Sequence, residues 1–440
     1  MLNPVRTKSG YWSVLLTHTS AELFLIVRWL AIGVFGFYIA RRRSVTGWIF
    51  LAMIGGVEFG HDWPGAAMKL QVLGSIFLRL IRVIIAPLLF STLVVGIAGH
   101  GDLKKVGRMG VKALVYFEVV STLALLIGFF AINISRAGEG VRLPATALGQ
   151  STPVATHTAA ELVLNIFPEN IAKSVAEGEV LQIVIFSILF ALALGMVPEA
   201  KRRPLLNFSE SLAETMFKFT NIVMLFAPIG AFGAVAYTVG HMGLGVLSPL
   251  LKLLITMYVA LAVFVLAVLL PIALFIRAPL KKFLRAIAEP ATIAFATASS
   301  EAALPIAMEN MEAMGVPREM VSFVLPAGYS FNLDGSSLYQ SLALIFIAQA
   351  AGIHLTVGQQ AMMLLTLLIS SKGVAGVARA SLVIVLATAT SYHLPLEPLF
   401  LLFGIDQLMD MARTGVNVVG NCLATLAIAR WEGETKAFQP

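Results

Sequence analysis

The chain has 440 residues, 58% of them hydrophobic and only 12% charged, with a mean hydropathy of +0.87. Soluble domains carry about 25% charged residues, so this balance excludes an ordinary soluble protein and points to one embedded in a membrane. The net charge of +7 is scattered in short clusters, which excludes a nucleic-acid surface, and the single Cys422 excludes an internal disulfide or a cysteine-rich metal centre.

In chain order, the first apolar run is ELFLIVRWLAIGVFGFYIA, ending at Ala40. It fits an extra membrane helix, an interfacial helix or an upstream mis-start, and it lacks the small-residue cleavage site of a signal peptide. Crossings are expected near 45–60, 70–99, 111–132, 180–197, 208–240 and 248–276. A hydrocarbon core needs about 20 apolar residues, which most of these runs supply. An amphipathic stretch, ELVLNIFPENIAKSVAEGE, precedes the run at 180.

Basic residues cluster between the runs: Arg41, Arg42 and Arg43; Lys104, Lys105, Arg108 and Lys112; Lys201, Arg202 and Arg203; Lys281, Lys282 and Arg285. Short basic loops stay cytoplasmic, so these are topology signals. They leave 133–160 and 241–245 outside and put the C-terminus in the cytoplasm, as expected for a multi-pass protein of the cell inner (plasma) membrane.

Beyond Pro279 the pattern changes. Residues 279–315 are apolar up to Ala298, break at Ser299, Ser300 and Glu301, and then resume; 359–390 repeat the pattern around SSKGVAGVARAS. Apolar arms of about 10–14 residues fit re-entrant hairpins, whose irregular tips survive at membrane depth only when buried in protein or lining a cavity. Between the hairpins, a crossing over 319–350 is interrupted by GYSFNLDGSSLY (328–339), where Gly and Asn favour unwinding and free carbonyls for a cation. Interrupted segments in corresponding positions mark a transporter's substrate site.

The last helix, 398–430, can be placed on a wheel at about 100° per residue. Asp406, Asp410, Arg413, Thr414, Asn417 and Asn421 share one arc of about 100°, opposite Leu408, Met411 and Val418. Ionised groups at such depth are costly and pair with one another or with a ligand. At i, i+3, Asp410 and Arg413 can form a mutual salt bridge or serve an ammonium and a carboxylate of one substrate. No G-x-S-x-G or H-E-x-x-H arrangement accompanies the polar residues, so an intramembrane hydrolase is disfavoured; a channel has no need of such a pair.

TASSEAALP, AGYSFNLDGSSLYQS, SSKGVAGV and DMARTGVNVVGN, in that order, resemble the signatures of the dicarboxylate/amino acid:cation symporter family, over about residues 45–432. The resemblance implies an all-α polytopic membrane protein with eight transmembrane helices and two re-entrant helical hairpins in inverted repeats. It implies a homotrimer working by an elevator motion. Residues 45–105 and 160–245 would form the scaffold, and 106–135 and 246–432 the transport domain, between an N-terminal extension, 1–44, without family counterpart and a tail, 433–440.

Carried over by the same resemblance, Arg413 grips the substrate's side-chain carboxylate and Asp410 its α-ammonium. Thr414, Asn417, Ser299, Ser300, Ser336, Val377 and Ser381 complete the pocket. Candidates for cation coupling are Glu118, Ser121, Gly328, Asn332, Asp334, Asp406, Asn417 and Asn421. Asp410 favours an acidic amino acid over a plain C4-dicarboxylate, which lacks an ammonium. Sodium-coupled members carry an aspartate at the position of Asn421, and a tyrosine and a threonine at those of Phe117 and Val120. Their absence shifts the expected coupling ion from Na+ to H+, with Glu118 and Asp334 as candidate proton carriers and neither a cofactor nor a metal expected. At the second hairpin's tip, Ala378 and Arg379 replace the usual Pro and Gly, which puts a cation beside the gate.

Overall fold

A computed structural model describes residues 9–42, 45–98, 105–141, 164, 167–177, 180–371, 380–434 and 436–438. Among these the chain is all-helical and contains no strand. We number the principal helices in order: α1 Ser9–Arg42, α2 Val45–Asp62, α3 Gln71–Ala98, α4 Lys105–Ser135, α5 Val180–Met196, α6 Glu199–Met224, α7 Ala227–Met242 and α8 Leu247–Phe264. There follow α9 Leu280–Thr297, α10 Ser300–Ala313, α11 Arg318–Phe331, α12 Asp334–Ala350, α13 Val357–Ser370, α14 Ala380–Ser391 and α15 Glu397–Trp431.

Several expectations change in detail. The single crossing expected over 208–240 is two helices, α6 and α7, bent by 48° at their junction. Pro228 explains the break: it lacks an N–H, and its ring would collide with the carbonyl four residues back, at Met224, where α6 ends. The basic residues lie on helix ends more than in loops. Lys201, Arg202 and Arg203 sit in the first turns of α6, where Arg203 pairs with Glu199 at 2.8 Å, and Lys281, Lys282 and Arg285 begin α9. Three helices among the described residues are long and apolar enough to cross a membrane, at Leu23–Arg41, Met109–Ser135 and Leu244–Phe275, and the bent pair makes a fourth. The first of these was not among the eight expected crossings.

The interruptions fall close to where the small polar residues predict them. The first hairpin turns at Ala298, which adopts the left-handed conformation (φ 51°), and Ser299 caps α10 through its side chain. Its arms run antiparallel, because Asn310 Nδ2 donates to the Ala286 carbonyl at 2.8 Å, equidistant from the turn. The second hairpin pairs α13 with α14 and is tied by a 2.8 Å bond between Thr366 and Tyr392; its tip, 372–379, lies outside the described residues. The broken crossing is interrupted over two residues, Asn332 and Leu333, and not over the whole polar run. Helix persists through Gly328, whose carbonyl accepts from Asn332 N at 2.8 Å.

α2 packs along α7, and α3 lies against α5, α6 and α7. α15 gathers α8, α9, α10, α11 and α12 around itself, while α4 lies along α12. Consequently α12 and α15 are buried on nearly every face, including Val418 opposite the polar arc. Two helices that carry polar residues at such depth must satisfy them within the protein.

Candidate functional site

The site is built where the N-terminus of α12 meets the middle of α15. All six polar residues of the α15 arc are buried, with Asp406 and Asn421 fully enclosed. Arg413 is held from both sides along its own helix. Its Nη1 donates to Asp406 Oδ1 at 3.0 Å, and its Nε and Nη2 reach Asp410 Oδ1 at 2.9 and 2.8 Å. Tyr339 of α12 places its ring 4.1 Å from the guanidinium carbon, closing the remaining face. Thr414 donates to Asp410 Oδ1 at 3.4 Å. The mutual salt bridge left open by the i, i+3 spacing is therefore formed, and Asp406 joins it. With two carboxylates and one guanidinium, the triad carries a formal charge of −1 with all three side chains buried.

Next along α15, Asn417 and Ser336 bond reciprocally: Asn417 Nδ2 donates to Ser336 Oγ at 3.0 Å, and Ser336 N donates to Asn417 Oδ1 at 3.2 Å. This pair occupies a freed amide at the start of α12, the group that helix geometry leaves unpaired. One turn further, Asn332 Nδ2 donates to Asp334 Oδ2 at 3.1 Å and to Asn421 Oδ1 at 3.0 Å. Asn332 Oδ1 and Asn421 Nδ2 have no hydrogen-bond partner among the described residues, although both are enclosed. Glycines make this approach possible, since a Cβ at Gly328 would strike Asn421 Oδ1 and one at Gly420 would strike Asp334 Oδ2. The structure thus brings together two clusters, an Arg413 triad and an Asn332–Asp334–Asn421 amide–carboxylate group, joined by the Ser336–Asn417 pair.

Other expected site residues lie around this centre. Ser300 is buried and Ser299 half-buried at the first hairpin's turn, and α9 meets α15 where Gly415 faces Phe295. Ser381 is buried at the start of α14, which packs on α12. Ser121 is buried on α4, and its hydroxyl has no hydrogen-bond partner among the described residues. Glu118 differs: it lies on the exposed face of α4, and the structure does not bring it to the buried clusters. Val377 and Arg379 lie outside the described residues.

Two contributors escape a residue-by-residue reading. Tyr339 ends the GYSFNLDGSSLY motif and is the only aromatic after its break, which is the sole hint of its place under Arg413. Tyr116, next to Phe117, is half-buried, with its hydroxyl enclosed and within electrostatic range of Asp334. Neither contact is implied by spacing along one helix. Among the described residues, no group of three or more His, Cys, Asp or Glu side chains is placed to hold a metal ion.

Comparisons with known proteins place the chain among transporters. The profile of the sodium:dicarboxylate symporter family matches residues 45–431. A proton/sodium-glutamate symport protein of Bacillus caldotenax is 42% identical over 404 residues, covering 90% of this chain and 96% of that protein. A proton/glutamate-aspartate symporter of Escherichia coli (strain K12) is 43% identical over 409 residues, covering 89% and 93%. A C4-dicarboxylate transport protein of Solibacter usitatus is 41% identical over 400 residues, covering 89% and 93%.

Proposed function

The chain belongs to the sodium:dicarboxylate symporter family, and from that premise we propose that it imports an acidic amino acid, glutamate or aspartate, together with protons. It is an integral membrane transporter of small acidic molecules and not an enzyme. The observation that carries the finer reading is Arg413 held between Asp406 and Asp410 on a buried face. An acidic amino acid's distal carboxylate can take the guanidinium fork, while its α-ammonium replaces the guanidinium at Asp410. Substrate thereby exchanges one set of charge pairs for another, and no carboxylate is left buried alone. A C4-dicarboxylate offers Asp410 no such exchange.

Charge counting gives the reason for symport. The triad is −1 and an acidic amino acid is −1, so the loaded site carries −2 before Asp334 is added. Moving that charge through a bilayer is expensive, and co-transported cations remove the cost. With a neutral Asn421 beside Asp334, we favour a proton on Asp334, which removes that residue's own charge, and the remaining −2 calls for further co-transported protons. Glu118, on the exposed face of α4, is the weaker candidate for that proton.

In this reading the working unit is a homotrimer in the inner membrane with its C-terminus in the cytoplasm. Residues 45–105 and 160–245 form a static scaffold and 106–135 and 246–432 an elevator. α2, α3, α5, α6 and α7 lie against one another and α8 to α12 gather on α15, with α7 also packing on α15 where the two groups meet. A second reading, a C4-dicarboxylate carrier or a sodium-coupled amino acid carrier, is favoured by the names of relatives at similar identity.

Uptake into proteoliposomes of labelled glutamate, aspartate and succinate, under imposed proton or sodium gradients, decides among these. Glutamate or aspartate uptake driven by an inward proton gradient without sodium is the expected result. Preference for succinate would remove the role given to Asp410, and dependence on sodium at fixed pH would remove the proton.

A further inference from the structure

The family match begins at residue 45 and leaves α1 without an assigned role. Yet α1 is built into the molecule. It runs antiparallel to α2 along that helix's length: Arg28 meets Glu58 and Asp62 near the far end of α2, and the Cα of Gly36 faces Leu51 midway, where an added Cβ would stand 3.2 Å from Leu51 Cδ2. An interfacial helix would lie across α2 in the membrane plane, whereas α1 shares the direction of α2 and so shares its crossing. Its segment Leu23–Arg41 has the length and composition of a span, and Leu23, Phe24, Leu30, Val34 and Phe37 are each more than half exposed, as acyl chains require.

Among the described residues, the contact with α2 is ionic at one level. The Arg28 guanidinium reaches two carboxylates one helical turn apart, with Nη1 at 2.6 Å from Glu58 Oε2 and Nη2 at 2.8 Å from Asp62 Oδ1. Trp29 Nε1 donates to the other oxygen of Asp62 at 3.0 Å. Trp29 and Trp63 pack at 5.5 Å between centroids, with Phe59 5.3 Å from Trp63. Arg28 lies about 20 Å along the helix from Arg42, at a rise of 1.5 Å per residue, so with the Arg41–Arg42 end inside, the cluster sits in the outer part of the bilayer. Paired tryptophans belong at that level, where their rings meet the headgroups. An arginine within a span is costly unless paired, and here two acids of the neighbouring crossing pair it.

We infer that α1 is a ninth membrane crossing, entering from outside, and that Arg28 clasps it to α2 through Glu58 and Asp62 in the outer part of the bilayer. The inference is independent of the substrate and coupling ion. Cys422 is the chain's single cysteine and is buried, so introduced cysteines can be read in the full chain with little background. In intact cells, Ser20→Cys should react with a membrane-impermeant maleimide, and Glu434→Cys only after permeabilisation. Protection of position 20 in intact cells, or loss of the segment by cleavage, would overturn the crossing. For the clasp, Gly36→Cys with Leu51→Cys should be joined by a short thiol cross-linker, at least fivefold more slowly once Arg28→Ala is added. Asp62→Asn, which keeps the side chain's shape, serves if Arg28→Ala fails to accumulate, and the exchange of Arg28→Asp with Asp62→Arg should restore the rate. An unchanged rate in the single variants would overturn the clasp.

Discussion

Gly335, the second residue of α12, lies against the backbone of Arg413: a Cβ added there would stand 2.5 Å from the Arg413 carbonyl oxygen and 2.9 Å from its Cα. That approach sets the depth at which α12 delivers Ser336 to Asn417 and Tyr339 to the Arg413 guanidinium. Backbone cannot retreat as a flexible side chain can. Gly335→Ala should therefore separate the helices and cost about 1–3 kcal/mol in stability, in the range of core overpacking. Uptake should fall at least tenfold although residue 335 has no side chain to touch substrate, measured with thermal stability in detergent. Unchanged uptake in the alanine variant would show that the approach is not needed.

The Arg413 triad predicts a division between two substitutions. Arg413→Lys keeps the charge but loses the fork that spans Asp406 and Asp410, and it changes the stacking on Tyr339. Acidic amino acid uptake should drop by about tenfold or more, the scale of one charged hydrogen bond of 1.5–3 kcal/mol. Asp410→Asn removes the partner for an ammonium, so glutamate uptake should fall while succinate competes better than before. Competition assays on both variants measure the two effects.

Asn421→Asp adds a carboxylate beside Asn332, whose amide also donates to Asp334, and against Gly328. Two buried acids so placed need a cation between them, and hard oxygen ligands favour sodium or a second proton. Uptake by the variant should gain dependence on sodium at fixed pH. If sodium leaves its rate unaltered, residue 421 does not choose the coupling ion.

Asp334→Asn tests the proton directly. The substitution keeps the shape of the group that accepts from Asn332 and removes its charge. Substrate exchange should persist, while the stimulation of net uptake by an inward proton gradient is lost. Glu118→Gln, on the exposed face of α4, should leave that stimulation in place. The opposite pattern would move the proton from Asp334 to Glu118.

At the first hairpin, Ala298 holds a left-handed backbone (φ 51°) that glycine adopts without penalty. Ala298→Gly should be neutral or stabilising by up to about 1 kcal/mol, and the β-branched Ala298→Val destabilising by more than that. Thermal denaturation in detergent gives the sign. A large loss of stability in the glycine variant would mean that the alanine methyl, buried in the core, outweighs the backbone strain.

Much of the site was legible because it follows helical spacing. Asp406, Asp410, Arg413, Asn417 and Asn421 recur at intervals that put them on one stripe in any straight helix, and their cost in an apolar chain marks the stripe as useful. Breaks at Ser299 and Asn332 were legible for the same reason, since small polar residues interrupt long apolar runs only where backbone groups find partners. Exposure was not legible. Glu118 stands one residue from the buried Phe117 in the same apolar run, and only the packing of α4 on α12 decides which of them faces inward.

The sequence by itself determined the solvent, the helical class, the family and the polar arc, because these depend on composition, period and local motif. Tertiary structure alone decided that Arg413 is shared by Asp406 and Asp410 above Tyr339, that Asn332 bridges Asp334 to Asn421, and that Arg28 pairs with α2. Two of those contacts, Arg413 on Tyr339 and Asn332 to Asn421, join helices far apart in the chain. A pattern of one helix fixes which residues share a face, but which face of which neighbour it meets depends on where small residues such as Gly335, Gly328 and Gly420 let two backbones close.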